Sequence, residues 1–148
     1  MTKWNRPEVG LLVLRVAIGL IFLLHGGMNL IGGRESFMRE ILGMVGMTLP
    51  DWLLLFVTLV EFFGGIALLA GLYARLAALV LACEMVVVVL MFHLQQGFFI
   101  VSVPNVPLAY GFEYHVALIG GLVCIAFGGP GVWAVESTFV GAGGDPRV

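Results

Sequence analysis

Four apolar stretches, each of about the length that crosses a bilayer, occupy most of this 148-residue chain: residues 9–31, 52–73, 75–95 and 113–131. A helix flanking a water-soluble core is apolar on one face. A helix crossing the roughly 30 Å hydrocarbon layer is apolar all round and satisfies its own backbone. The stretches therefore predict an all-α, integral membrane four-helix bundle, one domain embedded in a lipid bilayer. Hydrophobic residues make up 61% of the chain and charged ones 11%, with a mean hydropathy of +1.10, where soluble domains carry about 25% charged residues. A net charge of -2 with no basic run excludes nucleic acid as a partner.

The first stretch follows Lys3 and Arg6, as the apolar region of a signal peptide would. It lacks an A-x-A-like cleavage site, runs for about 23 residues and carries Arg15 and His25, which marks a retained transmembrane helix. Leu49-Pro50-Asp51 is a helix-start signal for the second stretch, a tight turn joins the second to the third, and Gly128-Gly129-Pro130-Gly131 ends the fourth. Trp52 and Trp133 fall at predicted interfacial ends. In loop one, Phe37, Ile41 and Met44 recur at helical spacing, so residues 36–45 are expected to lie on the membrane as an amphipathic piece. Loop three, residues 97–112, is apolar and interrupted by prolines, and is expected to cover one end of the bundle. The tail, residues 141–148, reads as disordered. Four spans put both termini on one side, and Lys3, Arg6, Arg75 and Arg147 against Arg34 and Arg39 favour the cytoplasm.

Depth then sorts the polar residues. At about 1.5 Å per residue, His25 lies some two-thirds of the way along the first helix. His93 ends the third helix, and Glu113 and His115 begin the fourth. Asn29 lies one turn beyond His25, and Gln95 and Gln96 follow His93. Polar groups from three helices thus converge on the outer end, below loop three. Histidine, carboxylate and amide groups there can bind a quinone-like carbonyl, exchange its protons or ligate a metal; equally, they can simply meet interfacial water. No H-E-x-x-H or E-x-x-H pair fixes metal ligands on one helix, so no metal site is assigned.

Arg15, Glu61 and Glu84 sit deeper, where an unpaired charge costs at least about 2.5 to 3.5 kcal/mol. Each requires a partner or, for the carboxyls, a proton. Arg15 at roughly 9 Å and Glu61 at roughly 16 Å from the inner boundary are expected to pair, with Gly19, Gly26, Gly64 and Gly65 allowing close helix approach beside them. Glu84 is the candidate for a neutral carboxyl. Nine residues separate it from His93, which places the two on opposite sides of an ideal helix. Cys83 and Cys124 have similar depth and read as small packing residues or as a redox pair.

The segments LRVAIGLIFLLHGGMNL, EFFGGIALLAGLYARLAAL, HLQQGFF and GFEYHVALIGGLV, in this order across almost the whole chain, resemble the DoxX family of small four-helix membrane proteins. The resemblance implies a single DoxX-like bundle and draws attention to Arg15, His25, Glu61, His93 and Glu113. Asn29 stands where a lysine is common in the family and Glu84 where an apolar residue is typical, and His115 is not carried over. Some members are linked to quinol-dependent thiosulfate oxidation or named oxidoreductases. Two functions follow. One is an inner-membrane redox component handling a quinone-like or thiol-linked substrate, with His25, His93 and Glu113 exchanging protons and Asn29, Gln96 and His115 contacting the ligand. The other is a noncatalytic scaffold assembling a redox or stress-response partner. A solute or proton carrier ranks third, for want of an inverted repeat. The chain has no dinucleotide fingerprint, haem-attachment or iron–sulfur motif, so electrons would come from a diffusible carrier or a redox protein partner.

Overall fold

The computed structural model describes residues 7–31, 43, 46, 48–101 and 109–136. Four helices are present among them: α1, Pro7–Ile31; α2, Asp51–Ala70; α3, Ala74–Val88; and α4, Glu113–Gly128. The α3 segment continues without a break through a π-helical turn, Val89–His93, and a 3-10 turn, Leu94–Gln96. The amphipathic piece expected at residues 36–45 and the tail at 141–148 lie outside the described residues, apart from Gly43. α1, α2 and the continuous Ala74–Gln96 helix are long and apolar enough to cross a membrane. The 16 residues of α4 span about 24 Å. Extra structure extends both of its ends.

The helices pack in a ring, α1 on α2, α2 on α3, α3 on α4 and α4 back on α1. Ile18, Phe22, Leu68, Leu81, Met85, Leu122 and Ile125 fill the centre. Only 22–28% of the residues in each long span are buried within the bundle. The outward residues include Val13, Leu20, Leu24, Met28, Phe56, Phe63 and Leu90, a surface suited to lipid.

Helix ends follow local chemistry. α2 stops at Ala70 rather than at the expected residue 73, because Gly71 turns left-handed (φ 67°). Gly71 N–H donates to Leu68 O (3.1 Å) and Leu72 N–H to Ala67 O (3.0 Å), the paired bonds that satisfy a helix's last carbonyls. α4 ends at Gly128 rather than 131, where Gly129 and Gly131 take φ of 91° and 72°. Loop three begins and ends in a small antiparallel ladder, Ile100 opposite Tyr110 and Val101 opposite Ala109. Phe112 N–H and Glu113 N–H donate to Gly97 O and Phe98 O, which anchors this hairpin to the start of α4.

The expected Arg15–Glu61 pair does not form. Arg15, 1% exposed, donates from Nη2 to Trp133 O (3.2 Å) and lies within electrostatic range of Glu136. The Glu136 carboxylate accepts from Ala74 N–H (3.3 Å), its own N–H donates to Gly71 O (3.1 Å), and Val132 N–H donates to Glu8 O (3.3 Å). Arg75 closes the same end by donating to Ala126 O and Phe127 O of α4. Residues 129–136 thus form a clasp across α1, α4 and the α2–α3 turn. The reason is directional. Helical side chains lean toward their own N-terminus, so on antiparallel α1 and α2 Arg15 leans inward while Glu61 leans outward.

Close α1–α2 packing rests on glycine as expected, with one change of partner. A Cβ on Gly26 would lie 2.5 Å from Phe62 N, and one on Gly65 would collide with Leu23 N, whereas Gly64 faces Leu81 of α3. Gly26→Ala is therefore expected to cost about 1–3 kcal/mol. Gly27→Ala, whose added Cβ would stand 3.8 Å from the Phe62 ring, should be close to neutral in the same thermal unfolding assay in detergent. For the clasp, Glu136→Ala should cost about 1–3 kcal/mol. A double-mutant cycle with Arg15→Met should return a coupling of at least about 0.5 kcal/mol, and strict additivity would show that the two side chains act separately.

Candidate functional site

Three histidines from three helices gather toward the end of the bundle that carries the hairpin. His93 and His115 have ring centroids 4.2 Å apart, tilted by 47°, and His25 lies within electrostatic range of His115. The π-helical turn positions His93. A π turn closes its bond one residue later than an α turn, which withdraws roughly one residue's rotation, about 100°. The opposed placement of His93 and Glu84 that uninterrupted α geometry gives does not carry across this turn. His93 Nδ1 lies 3.4 Å from Val88 O. A carbonyl can only accept, so Nδ1 is the ring nitrogen that donates in this contact, and Nε2 is left for a further partner. His115 Nδ1 is buried without a hydrogen-bond partner. Imidazoles brought this close offer several ring nitrogens, each able to donate or accept, to one shared space.

Glu113, expected among the proton-exchanging residues, opens α4 beside the hairpin. Its carboxylate accepts from Ile100 N–H (3.3 Å), holding the hairpin. Residues two apart on a helix point about 200° away from each other. With His115 turned into the bundle, Glu113 turns to the loop. Gln96 donates to Phe92 O within its own helix (3.4 Å). The T-shaped contacts of Phe98 with Phe99 and Phe112 place an aromatic layer at the hairpin base.

A second polar group lies beside the histidines. Asn29, buried and one turn beyond His25, hydrogen-bonds the Glu61 side chain. Glu61 in turn lies within electrostatic range of Glu84. The register of α1 against α2 fixes this partnership: Gly19 meets Gly65 and Leu68, and Gly26 meets Phe62. Carried outward, the same antiparallel register sets Asn29 beside Glu61; carried inward, it sets Arg15 beside Gly71. The sequence contains this signal in the glycine positions, which a depth estimate alone does not use. Glu136 and the Trp133 carbonyl carried no comparable signal.

Among the described residues no three or more His, Cys, Asp or Glu side chains are arranged to hold a metal ion. Cys83 and Cys124 are free and face outward, so they are neither core packing nor a disulfide. On the outer side of the α1–α2 seam, Leu23, Leu24, Gly27, Met28, Ile31 and Phe62 line an almost wholly apolar groove of about 470 Å³.

The sequence model of the DoxX family matches residues 10–94, from the start of α1 to the end of the π-helical turn. The inner membrane protein YqjF of Escherichia coli (strain K12) is 30% identical over 131 residues, covering 87% of this chain and 91% of that protein. No solved structure matches the chain. A match over more than half the chain, a relative covered nearly end to end and a bundle of apolar membrane-length helices together establish that the chain belongs to the DoxX family of membrane proteins.

Proposed function

We propose that this DoxX protein is a redox-associated membrane subunit that binds the polar head of a quinone-like ligand at the histidine cluster. The observation that carries the reading is the approach of the His93 and His115 rings to 4.2 Å, with His25 beside them. A quinone head presents two carbonyls that accept hydrogen bonds, and on reduction it takes up two electrons and two protons. Imidazoles are suited to supplying both the bonds and the protons. In this reading His25, His93 and His115 exchange protons and contact the head. Glu113 acts as a positioning residue by holding the hairpin that covers the site, Gln96 fixes the end of α3, and Asn29, one turn beyond His25, links the site to Glu61. The apolar groove along Leu24, Met28 and Phe62 offers a course for an isoprenoid tail. Electrons arrive from, or leave to, a redox protein partner or a diffusible thiol-linked donor. The termini are assigned to the cytoplasm on the distribution of Lys3, Arg6 and Arg75.

Titration of the protein in lipid nanodiscs with a short-chain quinone tests the reading. His93→Ala should weaken binding about tenfold or more, the equivalent of one lost hydrogen bond of about 1.4 kcal/mol, while the thermal midpoint stays near that of the unsubstituted protein. Glu113→Gln keeps an acceptor for Ile100 N–H and should bind nearly normally, whereas Glu113→Ala should lose affinity by loosening the hairpin. If no quinone binds and His93→Ala instead releases a stoichiometric protein partner, the scaffold reading replaces this one. Independently, tags on both termini should be protected from a membrane-impermeant reagent in intact cells and become reactive on lysis. Labelling of either tag without lysis would invert the orientation.

A further inference from the structure

Glu61 is the eleventh of the twenty residues of α2, and Glu84 the eleventh of the 23-residue Ala74–Gln96 span. Both carboxyls therefore lie near the middle of their apolar spans, on adjacent helices and within electrostatic range of each other. Glu61 is only 7% exposed. Its Oε2 and both oxygens of Glu84 are buried without any hydrogen-bond partner.

Among the described residues no cation acts on either carboxyl. On α1, Arg15 donates from Nη2 to Trp133 O beside Glu136 and keeps Nε and Nη1 without a partner at that end of the bundle, Glu8 is acidic, and His25 stands at the histidine cluster. On the α3 span, Arg75 donates to the end of α4, and His93 is paired with His115. The hydroxyl of Thr58, one turn before Glu61, donates to Leu54 O (2.8 Å) and has no second proton to give. Asn29 supplies the one side-chain bond that Glu61 receives. Two adjacent carboxylates in hydrocarbon, each short of donors, cannot both stay ionised without a severe desolvation and repulsion penalty. The missing donor is a carboxyl proton.

We propose that Glu61 and Glu84 form an intramembrane proton-binding site, holding one proton between two carboxyl groups and joined through Asn29 to the histidine cluster. The order of residues supplies the connection. His115 lies near His25, Asn29 follows His25 by one helical turn, Asn29 bonds Glu61, and Glu61 lies within electrostatic range of Glu84. Protons bind and leave at the carboxyls and the imidazoles, with no change of oxidation state, and Asn29 holds Glu61 by its hydrogen bond without itself carrying the proton. What the proton serves, exchange with a ligand at the histidines, rests on the proposed function. The proton itself does not.

Infrared difference spectroscopy on ligand-free protein in bilayers decides the matter, because it reads carboxyl protonation directly and requires no quinone. A protonated-carboxyl C=O band, shifting in D₂O, should be present at neutral pH, where ordinary carboxyls with pKa values of about 4 are ionised. Glu84→Gln should shift or abolish that band, and the Glu61→Gln/Glu84→Gln double variant should abolish it. Asn29→Leu should move its frequency while leaving it present, a change that a merely structural pair would not produce. Glu84→Gln is the primary variant, since Glu84 is less enclosed than Glu61 and its substitution leaves the Asn29 bond intact. Absence of the band in the unsubstituted protein, as a bound metal cation neutralising both groups would give, overturns the proposal. So does a band unchanged by Glu84→Gln and the double variant. Failure of quinone binding with the band behaving as described would overturn only the quinone reading.

Discussion

Where Gly26 meets the backbone of Phe62 and Gly65 meets Leu23, α1 and α2 approach so closely that their register has little freedom. Lipid gives apolar helices no hydrophobic reason to associate, so such packing of small residues carries much of the association. The polar architecture depends on this seam. It puts Asn29 opposite Glu61 at one level and Arg15 opposite Gly71 at another, and so divides the buried polar residues into a carboxyl layer and a cationic clasp.

The clasp meets part of what a buried guanidinium requires. Arg15 has a long side chain on a Cβ that leans toward the N-terminus of α1, where Nη2 donates to the Trp133 carbonyl near Glu136 of the segment that follows α4, while Nε and Nη1 have no partner. Gly71 serves twice there: its left-handed backbone ends α2, and its missing side chain leaves the space that Arg15 Nη1 occupies. Any larger residue would disturb both the turn and the cation. Tertiary constraint at the inner end is thus concentrated on one residue in a three-residue connection.

Much of the fold was legible from hydropathy alone, because a bilayer demands long apolar helices and little else satisfies it. The boundaries of α2 and α4 shifted by three residues each where glycine took positive φ, an effect of backbone geometry that hydropathy does not register. The convergence of His25 and His93 followed from alternating helix direction. The partner of Arg15 did not, since depth along a helix says nothing about which way a side chain leans or about Glu136 returning from beyond α4. Glu113 was legible as a residue near the site but not as the anchor of the hairpin, which required knowing that Ile100 N–H lay within reach. The π-helical turn before His93 was not legible either, since ideal helical spacing carries no sign of it.

That π-helical turn bears on how relatives are to be compared. A π turn amounts to one residue accommodated within a helix without breaking it, so a relative whose third helix stays regular reaches the same height with one residue fewer. Aligned without a gap, its residues beyond Val88 would each be assigned to the wrong side of the helix by about 100°. The functional counterpart of His93 would then sit one column away. Apparent loss of this histidine in a relative is therefore informative only after the helix has been rephased.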